Sequence, residues 1–392
     1  MVRRDILAEI FRRAIPVQFQ EWLRKMKDLI IGTLWETAEM KAVSWSVKAF
    51  ELEELGRYEE AIASYDKALE FQPDDSHTWW SRGLALKCLG RYEEAIASYD
   101  KALEFQPDDP HAWNRRGAVL CDFLRRYEEA LASFDKALEI KPNFHYAWHN
   151  RGVALGNLGR TEEAVASYDK ALGFQPDYSD AWYNRGYALG KLGRYEEAVA
   201  SYNKALRFQP DDPKVWYNRG LAFWNLGRYE EAVTSWDKAL EFQPEYYHAW
   251  YSRGLTLAKL GRYEEAVASY DKALEFQPDY SDAWYSRGLA LEDLEKTEEA
   301  VASYDEAIAS YDRALAINPN DANAWYSKAC LYAWQQNLDA AITHLQRAID
   351  LDPEYRNLAK TDTDLDAIRD CDRFLDLLSD RSDEKSTQSH SN

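Results

Sequence analysis

A motif of 34 residues repeats almost word for word along most of this chain, and a period of that size leaves few folds open. Each copy carries Arg-Tyr-Glu-Glu-Ala-Val-Ala-Ser-Tyr-Asp-Lys-Ala-Leu-Glu-Phe-Gln-Pro with minor edits, followed by Ala-Trp-Tyr-x-Arg-Gly-x-Ala-Leu. Tryptophans open the copies at Trp45, Trp79, Trp113, Trp148, Trp182, Trp216, Trp250, Trp284 and Trp325, and prolines close them from Pro73 to Pro353. A fixed period of this kind marks a stacked array, in which one unit cannot bury its apolar face alone. Function is therefore expected on a long surface and not in a catalytic cleft.

Each copy reads as two helices. From Ser179 onward, Ala181, Trp182, Gly186, Leu189 and Leu192 recur at the three- and four-residue spacings of a helix. Gly193 interrupts the pattern, which resumes from Tyr195 through Ala198, Val199, Tyr202, Ala205 and Leu206 and stops before Pro210. Gly186, Ala198 and Ala205 let the two helices approach, while Trp182, Tyr195 and Tyr202 fill the gaps.

At these residues the chain resembles the tetratricopeptide repeat family: Trp, Gly, Ala, an aromatic, Ala and Pro fall at the family's spacings nine times over, across residues 42–355. The resemblance implies an all-α fold, a right-handed superhelical solenoid of nine antiparallel helix pairs whose first helices line a concave groove. One position departs from the family: Arg82, Arg116, Arg151, Arg185, Arg219, Arg253 and Arg287 stand three residues after Trp, where Leu is common. Such an arginine is expected to lay its stem on nearby aromatics and pair with a carboxylate.

Two copies break the period. One residue is gained near Arg125, where the turn loses its glycine, so that turn is expected to be distorted. Residues 302–308 are a tandem duplication of the Ala-Ser-Tyr-Asp pattern, and seven residues lengthen a helix by almost two turns, roughly 10 Å. The flanks are different again. Residues 1–41 contain two amphipathic stretches and read as a helical extension. Residues 356–378 read as one capping helix and resemble the tail that closes many bacterial arrays of the family; 379–392 read as a disordered tail.

The net charge of −20 argues against nucleic acid as the main ligand. Residues 42–355 hold most of it, with 34 basic and 53 acidic side chains. The Glu pair of each Tyr-Glu-Glu-Ala sits in a first helical turn, where the helix dipole favours carboxylates. Cys88, Cys121, Cys330 and Cys371 lack metal-binding spacing, and no stretch approaches a membrane span, so a cytoplasmic protein with reduced thiols is expected. Peripheral membrane contact through residues 1–41 stays open as a weaker option, and the oligomeric state is not legible. The glycines recur at repeat spacing rather than in a phosphate loop, and every Ser of the Ala-Ser-Tyr motif is one copy of a structural position. No catalytic residue, metal or cofactor is expected.

The informative positions are those that the resemblance places on the groove. Tyr183, Tyr217, Tyr251, Tyr285 and Tyr326 follow their tryptophans by one residue, and Asn150, Asn184 and Asn218 by two. A primary amide offers one donor and one acceptor, which matches a peptide unit of a ligand. With Tyr187, Lys191, Lys214 and Trp224 these residues form the candidate peptide-binding groove. The set that grips chaperone C-termini in some relatives is incomplete, because His149, Val153 and Asn218 stand where Lys, Asn and Arg are required. The expected role is a non-catalytic scaffold or adaptor for a protein or peptide partner. The alternative is an accessory subunit that binds through its N-terminal helix, with the repeats as a spacer.

Overall fold

The computed structural model describes residues 37–379; the amphipathic stretches before residue 37 and the tail after residue 379 lie outside them. The chain divides into two compact units, one up to Pro210 and one from Asp211. All regular structure among the described residues is helical.

In the first unit, five helix pairs follow one another: α1 (Ala38–Glu54) with α2 (Tyr58–Phe71), α3 (Ser76–Cys88) with α4 (Tyr92–Phe105), α5 (Pro110–Asp122) with α6 (Tyr127–Ile140), α7 (His145–Asn157) with α8 (Thr161–Phe174), and α9 (Ser179–Lys191) with α10 (Tyr195–Phe208). The second unit holds four pairs: α11 (Pro213–Asn225) with α12 (Tyr229–Phe242), α13 (Tyr247–Lys259) with α14 (Tyr263–Phe276), α15 (Ser281–Asp293) with α16 (Thr297–Ile317), and α17 (Ala322–Trp334) with α18 (Leu338–Leu351). Two short helices, α19 (Glu354–Ala359) and α20 (Asp372–Leu378), flank a 3-10 turn at Thr363–Ile368.

The boundaries follow from local chemistry. Asp75, Asp109 and Asp212 cap first helices by accepting from the backbone N–H two residues on, and Pro110 and Pro213 then occupy positions where a missing N–H costs nothing. Between the two helices of a pair the chain turns through a left-handed residue, such as Gly193 at φ +73°. Arg125 holds the equivalent place at φ +55° in the turn that lost its glycine, so the expected distortion is carried by a non-glycine residue in a left-handed conformation. Gly186 serves close approach: a Cβ there would lie 2.7 Å from the Tyr202 ring, which fills the space.

Side chains explain the period beyond helix propensity. The indole Nε1 of Trp79 donates to the carbonyl of Pro73 at 2.8 Å, and Trp148, Trp182 and Trp250 do the same to Pro142, Pro176 and Pro244 at 2.8 Å. The tryptophan thereby ties each first helix to the turn before it. The arginine three residues later joins three helices. Arg185 on α9 donates from Nε to Asp169 on α8 at 2.6 Å and from a terminal nitrogen to Ser201 on α10 at 2.7 Å, with its guanidinium 5.8 Å from the Trp182 ring. Arg82, Arg116, Arg151, Arg253 and Arg287 make the same pair of bonds. A leucine would fill the space but satisfy neither partner.

Both flanks differ from expectation. The first helix of the array starts at Ala38, where Thr37 accepts from the Met40 N–H at 3.3 Å, and not at residue 42. The single capping helix expected over 356–378 is three short pieces. Arg369 breaks the run, donating to the carbonyl oxygens of Lys360 and Asp362. Asp362 caps the 3-10 turn by accepting from the Asp364 N–H at 3.0 Å. These pieces still cover apolar surface: Leu365, Ile368 and Phe374 are buried with Ile342, Leu345 and Ile349 of α18.

Candidate functional site

The candidate residues divide between the two units: Asn150, Tyr183, Asn184, Tyr187 and Lys191 in the first, and Lys214, Tyr217, Asn218, Trp224, Tyr251 and Tyr285 in the second.

In the first unit, the structure spends the asparagine amides within the protein. Asn150 Nδ2 donates to Asn114 Oδ1 at 3.1 Å, and Asn184 Nδ2 lies 2.8 Å from His149 Nε2. The other imidazole nitrogen lies 3.3 Å from Asn150 Oδ1. With Asn184 donating, His149 is a neutral ring that donates from Nδ1. Burial agrees, holding its pKa below the ordinary histidine value. The stacking of successive first helices brings these amides within reach of each other, so the ladder expected to face a ligand is a structural relay. Tyr183 packs against Tyr202, with ring centroids 6.2 Å apart.

What remains open on α9 is Tyr187, 46% exposed, with Lys191 Nζ 4.8 Å from its ring centroid. Both line a depression of about 210 Å³ together with Asn184 and Ala188, with Val153, Gly156 and Asn157 of α7, and with Thr161 and Tyr168 of α8. Gly156, without a side chain, helps to leave this space open. Among the described residues Lys191 forms no ion pair.

In the second unit, Trp224 is 41% exposed and meets Tyr229 edge-on, with ring centroids 6.3 Å apart. Tyr217 is half-buried, 5.0 Å from the ring of Tyr246, with its hydroxyl 3.5 Å from Ser252 Oγ. Tyr251 lies 4.8 Å from the ring of Tyr280, and burial raises its pKa above the ordinary phenol value. The Asn218 amide donates to the Lys214 carbonyl at 2.8 Å. Lys214 and Lys259 are exposed and form no ion pair among the described residues.

Tyr285 is different, and here the structure corrects the sequence. Its hydroxyl donates to Asp364, and the next tyrosine, Tyr326, donates to Asp362 Oδ2 at 2.6 Å. The 3-10 turn therefore lies against the first helices of the last pairs. Tyr285 is occupied by the chain's own tail and is not open to a partner. Burial raises the pKa of Asp364, with Asp362 adding to the effect. Cys330 places its sulfur within 4.8 Å of a carboxylate oxygen of each aspartate. Burial pushes this thiol well above the usual cysteine range, so it stays protonated.

Sequence reading missed a charge pattern that only the helix boundaries make visible. The first helices α11 and α13 contain no Asp or Glu, whereas α12 carries Glu230, Glu231, Asp237 and Glu241. Charge divided by helix, and not summed over a copy, separates neutral-to-basic first helices from an acidic second helix.

Comparison with known proteins follows this geometry. Family models described as tetratricopeptide repeat match residues 48–110, 82–143, 133–166, 217–281, 269–302 and 322–355, and one described as TPR repeat matches 157–193, 189–227 and 303–335. Together the matches run from residue 48 to residue 355. No functionally curated protein matches the sequence. Among solved structures, the chain is similar to YrrB, described as a TPR protein with an unusual peptide-binding site, at 27% identity over 50% of this chain and 97% of that one (TM-score 0.42). It is similar to PilW, described as a type IV pilus biogenesis factor, at 24% identity over 52% of this chain and 94% of that one (TM-score 0.48). A third is a tetratricopeptide repeat protein from Parabacteroides merdae, at 18% identity over 64% of this chain and 99% of that one (TM-score 0.48).

Proposed function

The chain belongs to the tetratricopeptide repeat family, and from that premise we propose that it is a non-catalytic interaction scaffold that holds a peptide or helical segment of a partner protein against its first helices. One observation carries the reading: large aromatic side chains, Tyr187 in the first unit and Trp224 in the second, stand exposed on first helices. Tyr187 has Lys191 Nζ 4.8 Å from its ring centroid, and that lysine forms no ion pair among the described residues. An aromatic ring that is solvated in the free protein gains burial on binding, and such anchors contribute a disproportionate share of affinity, often about 2 kcal/mol or more. No helix among the described residues is long and apolar enough to cross a membrane.

The test is a pull-down with the full chain, followed by calorimetry on the partner it identifies. Trp224→Ala and Tyr187→Ala, made separately, assign binding to one unit or the other. At least one is expected to weaken the partner tenfold or more at unchanged helicity. Full affinity in both folded variants would move the binding surface away from the first helices.

A further inference from the structure

We infer that the first-helix face around Tyr217 and Tyr251 takes an acidic peptide segment with aspartates two residues apart, read by the tyrosine hydroxyls. The inference deepens the scaffold reading above and rests on it.

The recognition chemistry is already present in the same unit. Tyr285 and Tyr326 stand one residue after Trp284 and Trp325, and their hydroxyls donate to Asp364 and Asp362 of the C-terminal segment. Two successive rungs of the array thus bind two alternate residues of one acidic run. Tyr217 and Tyr251 hold the same place after Trp216 and Trp250, and the partners of their hydroxyls are the neutral side chains of Ser252 and Ser286. Tyr217 keeps its hydroxyl near Ser252 at 3.5 Å, the outer limit of a hydrogen bond, so its proton is available to a stronger acceptor. A carboxylate is that acceptor, because charge-assisted bonds are about twice as strong as neutral ones.

Charge favours these rungs over the ones already filled. Helix α15, beside the bound tail, carries Asp282, Glu292 and Asp293, and still the segment with its aspartates sits there. Helices α11 and α13 have no acidic residue, and they present Lys214 and Lys259 to solvent. In a chain of net charge −20, this is a face that an anionic segment approaches without meeting carboxylates on the helices that bind it. Exposed lysines contribute little each, so they steer the segment while the hydroxyls supply specificity.

The test uses the full chain and a labelled peptide of residues 360–370 in fluorescence anisotropy. The comparison peptide replaces both Asp362 and Asp364 by Asn. The Tyr217→Phe/Tyr251→Phe double variant keeps both rings and removes only the hydroxyls. Expected results are at least tenfold weaker binding for the Asn peptide and for the double Phe variant, and weakening with added salt. Binding of both peptides alike, or full affinity in the double Phe variant, overturns the inference. Absence of any peptide binding, in a protein whose Trp224→Ala variant loses its pull-down partner, overturns it as well while leaving the scaffold reading intact.

Discussion

Glu53 and Glu292 each stand eight residues after a tryptophan, and each accepts a tyrosine hydroxyl from its own second helix, Tyr65 at 3.0 Å and Tyr304 at 2.7 Å. They differ in the other oxygen. Trp334 Nε1 donates to Glu292 at 2.5 Å, whereas Glu53 Oε1 is buried with no partner. Burial therefore raises the Glu53 pKa from 4.5 to about 7, against the lowering effect of Tyr65. A carboxyl with a raised folded pKa binds its proton more tightly when folded. Stability is thus highest below the unfolded value and is lost as pH climbs from 4.5 to about 7. Glu53→Gln is expected to leave unfolding unchanged near pH 4 and to stabilise the protein near pH 8, by on the order of 2 kcal/mol. Urea titrations at the two pH values measure this, and equal effects at both would rule out a buried charge as the cause.

The lengthened helix shows how an element absorbs an insertion. In α14, one copy of the motif does two tasks: Ser269 takes Arg253 of its own pair, and Asp271 takes Arg287 of the next. In α16 the duplication divides them. Ser303 and Tyr304 of the first copy serve α15, through Arg287 and the close approach at Gly288, while Asp312 of the second copy receives Lys328 of the next pair. Tyr311 is not idle, since its hydroxyl reaches Asp282 at 2.8 Å. Seven residues turn a helix through about 700°, some 20° short of two turns, so the apolar stripe stays aligned. The far end projects, leaving Ile317 88% exposed where Phe276 is 39% exposed. Deleting residues 302–308 should return both tasks to one copy and preserve the fold with a small change in stability. Deleting residues 302–306 turns the helix end by about 140° and should cost about 3 kcal/mol or more by exposing Tyr311 and Leu315. Circular dichroism during urea unfolding compares them, and equal costs would show that helical phase is not what the insertion conserves.

Over the whole chain, stability is local because units of an array contact their neighbours and little else. The C-terminal segment closes the last pair by burying Leu365, Ile368 and Phe374. Each such side chain contributes about 1.5–3 kcal/mol when fully buried. A chain ending at residue 359 is expected to lose hydrogen-exchange protection in α17 and α18 and to keep it in the first unit up to Pro210. Uniform loss of protection along the chain would mean that the array unfolds as one cooperative body. The truncation also frees Tyr285 and Tyr326, so it should bind the acidic peptide more strongly than the full chain does.

The helix pairs were legible because their determinants lie within one period. The step from Pro176 to Trp182 sets an indole-to-carbonyl bond, Gly186 meets Tyr202 sixteen residues on, and Gly193 marks the turn between helices. Repetition multiplied those local signals. The exposed Tyr187 and Trp224 were legible for the same reason, since each departs from the repeat at a position of known face. Other features depended on neighbours that no period specifies. The amides of Asn150 and Asn184 face a ligand or each other's surroundings according to how closely first helices stack, and the fold brought Asn114 and His149 within bonding distance. The tail beyond Pro353 belongs to no copy, and its composition told only that something apolar would be covered. Where Asp362 and Asp364 came to rest was decided by tertiary structure, because the hydroxyl donors they bond, on the tyrosines at positions 326 and 285, stand on two different helix pairs.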